Sequence, residues 1–262
     1  MWSIIFHKQM RVLILGSGTS TGVPVIGCDC GVCRSVDPKN KRTRSSILVT
    51  FPSGRNVLID TSTDLRAQSL ANNVRSIDAV LYTHAHADHL HGIDDLRSFN
   101  LIKKGEIPCY GNARTMERIK TLFNYIFSDD RNDGWKPELS ANIVEAPFTL
   151  FGLSVTPVGV FHGSGVTLGY RIKDLAYLTD CNRIPPQSIE LLKGVKLLII
   201  GALRHKPHPS HLSISEAIEA SRLIGAERTV FTHLSHNVDY AIDSSSLPPG
   251  VEFAYDGMVI EV

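Results

Sequence analysis

The stretch YTHAHADHLHG, residues 82–92, decides how this chain is read. It follows the apolar run IDAVL and closes on Gly92. In an extended segment alternate side chains share a face, so His84 and His86 point the same way. Asp88 continues that row as the chain leaves the strand, and His89 follows where a turn or helix swings it back. His84, His86, Asp88 and His89 put four nitrogen and oxygen donors within six residues, enough for two ions rather than one. Neutral imidazole and carboxylate suit zinc, manganese or iron.

Working outward, LID ends on Asp60, VFHGSG supplies His162, YLTDCN supplies Asp180 and VFTHLSH supplies His233, each at the end of an apolar strand. A lone histidine or aspartate at such a place is usually a cap or a surface residue, so these gain weight only together. A second cluster lies in GCDCGVC, residues 27–33, where Cys28, Cys30 and Cys33 offer three corners of a tetrahedral zinc site. Thiols this close in sequence are poorly placed to pair with one another. Metal-bound thiolates in a reducing compartment are therefore expected rather than disulfides. The neighbouring residues leave the fourth ligand open.

The chain has 262 residues, of which 43% are hydrophobic, enough for one large core. Its formal net charge of +1 implies neither a nucleic-acid grip nor an acidic tail. The opening MWSIIFHKQM lacks a basic n-region and a small-residue cleavage site, and no apolar run is long enough for a membrane span. A cytoplasmic protein with no membrane partner is expected. MRVLILGSG reads as a natural first strand, which makes residues 1–9 a candidate extension with Met10 as an alternative start.

Short β-branched runs read as strands: RVLILG, SSILVTF, NVLID, IDAVLYTH, LSVTPVGV, LGYRI, LAYLTD, VKLLIIG, RTVFTH and VEFAYDGMVIEV. ARTMERIKTLFNYIFS carries apolar residues at helical spacing, with Ile119, Leu122 and Phe123 offered to a core or pocket and Arg118 and Lys120 facing outward. SISEAIEASRLIG begins with Ser213 three residues before Glu216, a capping-box pattern, and stops at Gly225. Residues 128–142 form the longest loop-like stretch, and no sequence repeat is visible. The pattern predicts a single domain, residues 1–262, of α/β class built on two sheets. GSGTSTG, residues 16–22, has the wrong glycine spacing for a dinucleotide turn and reads as a glycine-rich turn under a metal site. KNKRTRSS is either a solvated basic loop or a local phosphate attractor. Cys109 and Cys181 read as small buried residues, and His205 and His208 as rim residues.

The stretch 82–92 resembles the H-x-H-x-D-H signature of the metallo-β-lactamase-fold hydrolases, and Asp60, His162, Asp180 and His233 follow in that family's order. The resemblance implies an αββα sandwich, two mixed β-sheets flanked by helices, with metals at one edge. It implies that His84, His86 and His162 hold one ion, that Asp88, His89 and His233 hold the other, and that Asp180 bridges them. Asp60 would orient the signature loop. GCDCGVC after GSGTSTGVP, with THLSH, resembles the branch containing the cyclic phosphodiesterase of the carbon–phosphorus lyase pathway and the pyrroloquinoline-quinone biosynthesis protein B. In that branch a C-x-C-x-x-C loop and a distant histidine bind a structural zinc, which implies Cys28, Cys30, Cys33 and His236 here. His211 in PSHLSISEA resembles the histidine that phosphodiesterases of this fold use beside the scissile phosphate.

The function expected is a dinuclear metal-dependent phosphodiesterase, with manganese or zinc, iron or nickel in the pair. The resemblance points to a small, ribose cyclic phosphate as substrate. Two ions would share a bridging water and lower its pKa, and the resulting hydroxide would attack phosphorus; the metals and His211 would stabilise the charge on the phosphoryl oxygens, and His211, if protonated, would give its proton to the leaving oxygen. Asp88 and His211 are the residues expected to carry the chemistry. Residues 112–142 would wall the pocket, and a homodimer is the one protein partnership considered. Two other readings stand beside this one: a transfer-RNA 3′-end nuclease, disfavoured by the charge balance, and a cofactor-biosynthesis binding or carrier protein of the quinone-protein-B type.

Overall fold

The structure, a computed structural model, describes residues 9–128 and 135–262. Its strands in chain order are β1 (Arg11–Gly16), β2 (Ser46–Thr50), β3 (Asn56–Ile59), β4 (Ala79–Leu81), β5 (Ile107–Gly111), β6 (Leu139–Ile143), β7 (Phe148–Leu150), β8 (Leu153–His162), β9 (Gly165–Ile172), β10 (Leu175–Leu178), β11 (Leu197–Gly201), β12 (Arg228–Thr232), β13 (Val251–Phe253) and β14 (Val259–Glu261). They form two seven-stranded sheets, ordered β14-β1-β2-β3-β4-β5-β6 and β13-β12-β11-β10-β9-β8-β7. Both sheets are mixed. In the first, β14 through β3 pair antiparallel and β3 through β6 parallel. In the second, β7 through β10 pair antiparallel and β10 through β13 parallel. A repeat that the residues do not display is therefore present in the strand pattern.

Side-chain alternation turns these sheets into a layered sandwich. In β1, Val12 and Ile14 face the other sheet, while Leu13 and Leu15 face helices on the outside. In β11, Leu197 and Ile199 join the core between the sheets, while Leu198 and Ile200 pack against helices on the opposite outer face. Each such side chain, fully buried, contributes roughly 1.5–3 kcal/mol of transfer free energy. Met116 and Ile119 of the helix Ala113–Leu122 cover the first sheet, and Ala217 and Ile224 of the helix Ile214–Ile224 cover the second. The expected α/β sandwich of two mixed sheets flanked by helices is what the chain forms.

Three expectations change. VEFAYDGMVIEV is not one strand. It breaks at a turn through Gly257 (φ 88°), so β13 closes the edge of the second sheet and β14 that of the first. Asp256 in this turn accepts from the backbone and hydroxyl of both Ser17 and Thr43 at 2.6–2.9 Å. The helix expected over 113–128 is interrupted at Phe123 (φ −118°, ψ 46°) and resumes only for Asn124–Phe127. The loop expected over 128–142 ends in β6, which pairs in parallel with β5; tertiary pairing overrides weak local propensity there. Residues 129–134 of that loop, and residues 1–8 of the expected extension, lie outside the described residues. No helix among the described residues is long and apolar enough to cross a membrane.

Candidate metal centre

Strands β3, β4, β8, β10 and β12 all finish at one edge of the sandwich, where each delivers a polar residue. β3 is followed by Asp60 and β12 by His233, both with left-handed backbone, at φ 64° and 59°. Such backbone is uncommon for non-glycine residues and turns each side chain sharply off its strand. β4 leads into Thr83 and His84, then His86 caps the short helix Ala87–Leu90 that carries Asp88 and His89. His162 ends β8 at a hairpin of two residues, Gly163 and Ser164, pairing with Gly165 on β9. Asp180 stands just beyond β10.

Two donor groups result. His84, His86, His162 and Asp180 offer ligand atoms within 4.8 Å of one another, and so do Asp88, His89, Asp180 and His233. Asp180 divides its carboxylate between them. Its Oδ2 lies 3.7 Å from His84 Nε2 and 3.8 Å from His162 Nε2, while Oδ1 lies 3.3 Å from His89 Nε2 and 3.1 Å from His233 Nδ1. His84 Nε2 and His86 Nδ1 stand 2.9 Å apart. Nitrogen ligands on a tetrahedral ion with bonds near 2.05 Å sit about 3.3 Å apart, so the spacing suits one ion per group.

Hydrogen bonds behind these rings decide which nitrogen is free. Asp60, fully buried, accepts from Thr83 N at 2.8 Å, from Thr83 Oγ1 at 2.7 Å and from His89 Nδ1 at 2.7 Å. Because Thr83 Oγ1 spends its proton on Asp60, it accepts from His84 Nδ1 at 3.0 Å. Ser210 O likewise accepts from His162 Nδ1 at 2.7 Å, and Thr19 Oγ1 meets His233 Nε2 at 3.0 Å. Each bond leaves the opposite ring nitrogen unprotonated and facing the cluster, the arrangement that supports metal-ligating histidines. His89 Nε2 and Asp88 Oδ2 are 3.1 Å apart, yet both are buried without a hydrogen-bond partner. Two acceptors confronting each other in the interior call for a cation between them, and the residues fit divalent metal ions on that ground.

Without metal the charges rearrange. Burial works against a charged His89, but the carboxylates of Asp180, Asp88 and Asp60 outweigh it and hold its pKa well above the usual histidine value. Burial holds His84 and His233 below it. Burial also pushes His211 down to about 3. Its ring stacks on His233 with centroids 5.0 Å apart and stands edge-on to His162 at 4.8 Å. His211 thus lies beside both donor groups, and burial favours its neutral ring, the form in which it can stabilise charge by hydrogen bonding but not hand over an imidazolium proton.

The cysteine cluster is separate. His236 Nδ1 lies 3.2 Å from Cys28 Sγ and 3.6 Å from Cys30 and Cys33 Sγ. A nitrogen and a sulfur ligand on tetrahedral zinc are about 3.5 Å apart, so the set fits a closed Cys₃His zinc site. The backbone N–H of Cys33 helps draw the Cys30 thiol down to about 6. His233 and His236 lie on one loop and face different clusters. Cys109 and Cys181 are buried, and burial pushes both thiols up.

Other sequence candidates fall elsewhere. The cations of the basic run have partners within the protein. Lys39 Nζ sits over the rings of Tyr240 and Tyr255, Arg44 pairs with Asp64 at 2.8 Å, and Arg42 is buried against the carbonyls of Ser235 and Val238. His205 pairs with Asp243 at 3.2 Å, and His208 stands 5.1 Å, centroid to centroid, from His211 at the rim. Arg118, expected to face outward, is exposed and lines a cleft of about 830 Å³ with Arg114, His84, His86 and His162. Thr83, Thr19 and Ser210 were not singled out in the sequence; Thr83, placed directly before His84, is the one whose position could have signalled its role.

The Beta-lactamase superfamily domain family matches residues 55–234. A solved structure described as a new diphosphatase from the PhnP family is 40% identical, with a TM-score of 0.91 and 97% of each chain covered. An octanoyltransferase of Porphyromonas gingivalis is 42% identical over 253 residues, 95% of this chain and 51% of the relative, so the chain spans about half that protein's length. The coenzyme PQQ synthesis protein B of Methylorubrum populi is 39% identical over 299 aligned positions, covering 97% of this chain and 100% of that one.

Proposed function

Since the chain belongs to the beta-lactamase superfamily, as a metallo-β-lactamase-fold hydrolase, we propose that it is a dinuclear-metal phosphodiesterase acting on a small phosphodiester, with ribose cyclic phosphates as the first class to test. The observation that carries this reading is the division of Asp180, with one oxygen toward each donor group. His84, His86 and His162 would hold one ion, Asp88, His89 and His233 the other, and Asp180 both. Divalent ions held there supply Lewis acidity and water of lowered pKa.

The chain's own residues do the rest. Asp60 and Thr83 hold the rings of His84 and His89 in the tautomers that ligation requires. His211, neutral and beside both His162 and His233, donates its N–H to a phosphoryl oxygen as charge develops there. The Cys₃His cluster, with four ligands and no open position, is a structural zinc site and takes no part in turnover. Because both sheets contribute to the metal edge, the chain acts as one hydrolytic unit.

The similar diphosphatase supports phosphorus as the electrophile. The octanoyltransferase name belongs to a protein twice as long, and the cleft here offers little to an acyl chain. Its lining is mostly histidine, arginine, threonine, serine and glycine, with Val166 and Ala85 the apolar exceptions. A net charge of +1 likewise disfavours a grip on folded RNA. The test is metal analysis of the purified protein, with turnover of bis(p-nitrophenyl) phosphate and ribose 2′,3′-cyclic phosphates set against precursor transfer RNA. Two exchangeable ions with hydrolysis of the small esters are expected. Efficient cleavage of the RNA alone, or no metal-dependent hydrolysis of any phosphodiester, would overturn the proposal.

A further inference from the structure

The two clusters share a loop, and one buried side chain holds its middle. His233 belongs to one donor group and His236 to the other, with Leu234 and Ser235 between them. At the His233 end the backbone is fixed by its neighbours. Leu234 N donates to Ser17 O at 2.9 Å, Thr19 N donates to Leu234 O at 3.1 Å, and Thr19 Oγ1 meets the His233 ring at 3.0 Å. The left-handed backbone of His233 persists only under such restraint. Toward His236 the chain is held differently. Arg42 Nη1 donates to Ser235 O at 3.0 Å, and Nη2 donates to Val238 O and to Asn40 Oδ1, both at 2.9 Å. The guanidinium thus grips one carbonyl before His236 and one after it.

Arg42 is an uncommon side chain to find there. It is 1% exposed, its three hydrogen-bond partners are neutral oxygens, and its Nε is buried without a partner. A cation so placed is costly, and an apolar residue of similar volume would serve packing alone better. Its backbone explains the position. Arg42 and Val23 exchange N–H···O bonds, each of 2.8 Å. Two residues on, Val25 N donates to Cys33 Sγ at 3.3 Å, and Val25 O accepts from Cys28 N at 3.0 Å. Gly18 lets the segments lie close, because a Cβ there would stand 2.8 Å from Arg42 O and 2.9 Å from Arg42 Cβ. Gly18 also bridges to Leu234. Arg42 therefore ties the cysteine loop, through its backbone, to the histidine loop, through its side chain. A shift of the cysteine loop reaches Ser235 and, two residues back, His233.

We propose that Arg42 is a positioning residue that couples the two metal clusters, so that zinc held by Cys28, Cys30, Cys33 and His236 tightens the hold of Asp88, His89, Asp180 and His233 on their ion. The zinc touches no substrate, and the coupling does not depend on which ester the pair hydrolyses. His84, His86 and His162 lie on other segments, so the first ion is spared. Coupling between binding sites is reciprocal, and a filled pair strengthens zinc retention by the same factor.

The test is manganese binding to the full chain, followed by calorimetry and by electron paramagnetic resonance, in which spin coupling tells an adjacent pair from an isolated ion. Zinc-loaded wild-type protein is compared with the same protein after an organomercurial has released the cysteine-bound zinc, and with Arg42→Lys and Arg42→Met. Circular dichroism follows the fold of each. In the wild type, losing zinc should weaken the second manganese about tenfold, within the range usual for coupled sites, and leave the first nearly unchanged. At a fixed manganese concentration the paired spectrum should give way to that of a single ion. Arg42→Met should show the weak second ion with zinc still in place, and releasing its zinc should weaken that ion little further. Arg42→Lys, whose compact ammonium replaces the planar fork, should fall between. Chelator competition should show zinc held more firmly when the manganese pair is bound in the wild type, but not in Arg42→Met. Equal weakening of both ions would mark Arg42 as support for the fold at large and overturn the proposal. A zinc effect of the same size in wild type and Arg42→Met would overturn it too. Absence of a second manganese in the zinc-loaded wild type would sink the dinuclear reading and the coupling together, whereas intact coupling without hydrolysis of any phosphodiester would sink the phosphodiesterase reading alone.

Discussion

Replacing Asp60 by asparagine isolates the carboxylate that stands behind both donor groups. Asparagine adopts left-handed backbone about as readily as aspartate, so the φ of 64° is kept. If the amide oxygen takes the place of Oδ2, it still accepts from Thr83 Oγ1 and His89 Nδ1, but without charge. The amide nitrogen then confronts Thr83 N across 2.8 Å, two donors face to face at a buried site. The orphaned backbone N–H costs about 2 kcal/mol and the lost charge assistance about 1 kcal/mol more. At 2–4 °C per kcal/mol for a chain approaching this size, the Tm should fall by about 6 °C or more. Flipping the amide is no remedy, because two donors would then point at His89 and Thr83. The rings of His89 and, through Thr83, of His84 are then backed by an uncharged amide in place of a carboxylate, which lowers their basicity as ligands, so affinity for the exchangeable ions should fall about ten- to a hundredfold. The assay is chelator competition with parallel thermal unfolding, and zinc held by Cys28, Cys30, Cys33 and His236 serves as the internal control. Unchanged ion affinity and unchanged Tm in the Asn variant would refute the account of Asp60.

Three further outcomes are expected. His236→Ala should lose the cysteine-bound zinc and several kcal/mol of stability, whereas His233→Ala should keep that zinc and lose turnover; reversed metal contents by elemental analysis would show that the two histidines are misassigned. His211→Ala should leave metal content intact and slow hydrolysis about 10²–10³-fold. Because the ring rests neutral and acts as a hydrogen-bond donor, the loss should be similar for p-nitrophenolate and alkoxide leaving groups, and a loss confined to alkoxides would instead make it an acid. In the metal-free protein, burial depresses the pKa of His84, His211 and His233, His211 to about 3. The unfolded chain takes up those protons near pH 6.5 while the folded one refuses them. Stability should therefore be present above that pH and fall below it, by about 1.4 kcal/mol per pH unit for each such ring. His89, raised instead, is protonated in both states there and adds no slope. Asp60, raised by burial, opposes the trend. Urea midpoints that stay flat or rise from pH 6.5 to 5 would contradict this.

The donor residues could be read from sequence because each ends an apolar strand or lies in one dense local stretch. His84 and His86 sit at strand spacing, and Asp88 and His89 follow within one turn. The Cys₃ loop is legible as a group for the same reason, but His236 is not: only the fold carries it across to Cys28. Thr83, Thr19 and Ser210 act through single hydrogen bonds to ring nitrogens, and a threonine or serine beside a strand end bears no periodic mark. Helical spacing puts Arg118 on the exposed face of its helix, where it is found, but does not tell that a cleft lies along that face. β6 was missed because LSANI lacks the β-branched run that marks a strand, and it is held by parallel pairing to β5.

The crossing from β13 to β14 has a consequence for the order in which the molecule assembles during synthesis. The second sheet draws all its strands from the contiguous span Phe148–Phe253, so its pairings can form as that span emerges. The first sheet takes β1 from the start of the chain and β14 from its end, with Arg11 opposite Glu261. Until the last strand arrives, β1 shows an unpaired edge, and such an edge is a template for pairing with other chains. Loop closure over so long a separation is also slow relative to local pairing. The signature loop after β4 therefore exists well before His233 reaches it, and for that interval the nascent chain holds half a metal edge beside an open sheet. Ribosome-bound chains halted before residue 259 should accordingly aggregate or recruit chaperones more readily than chains released after it.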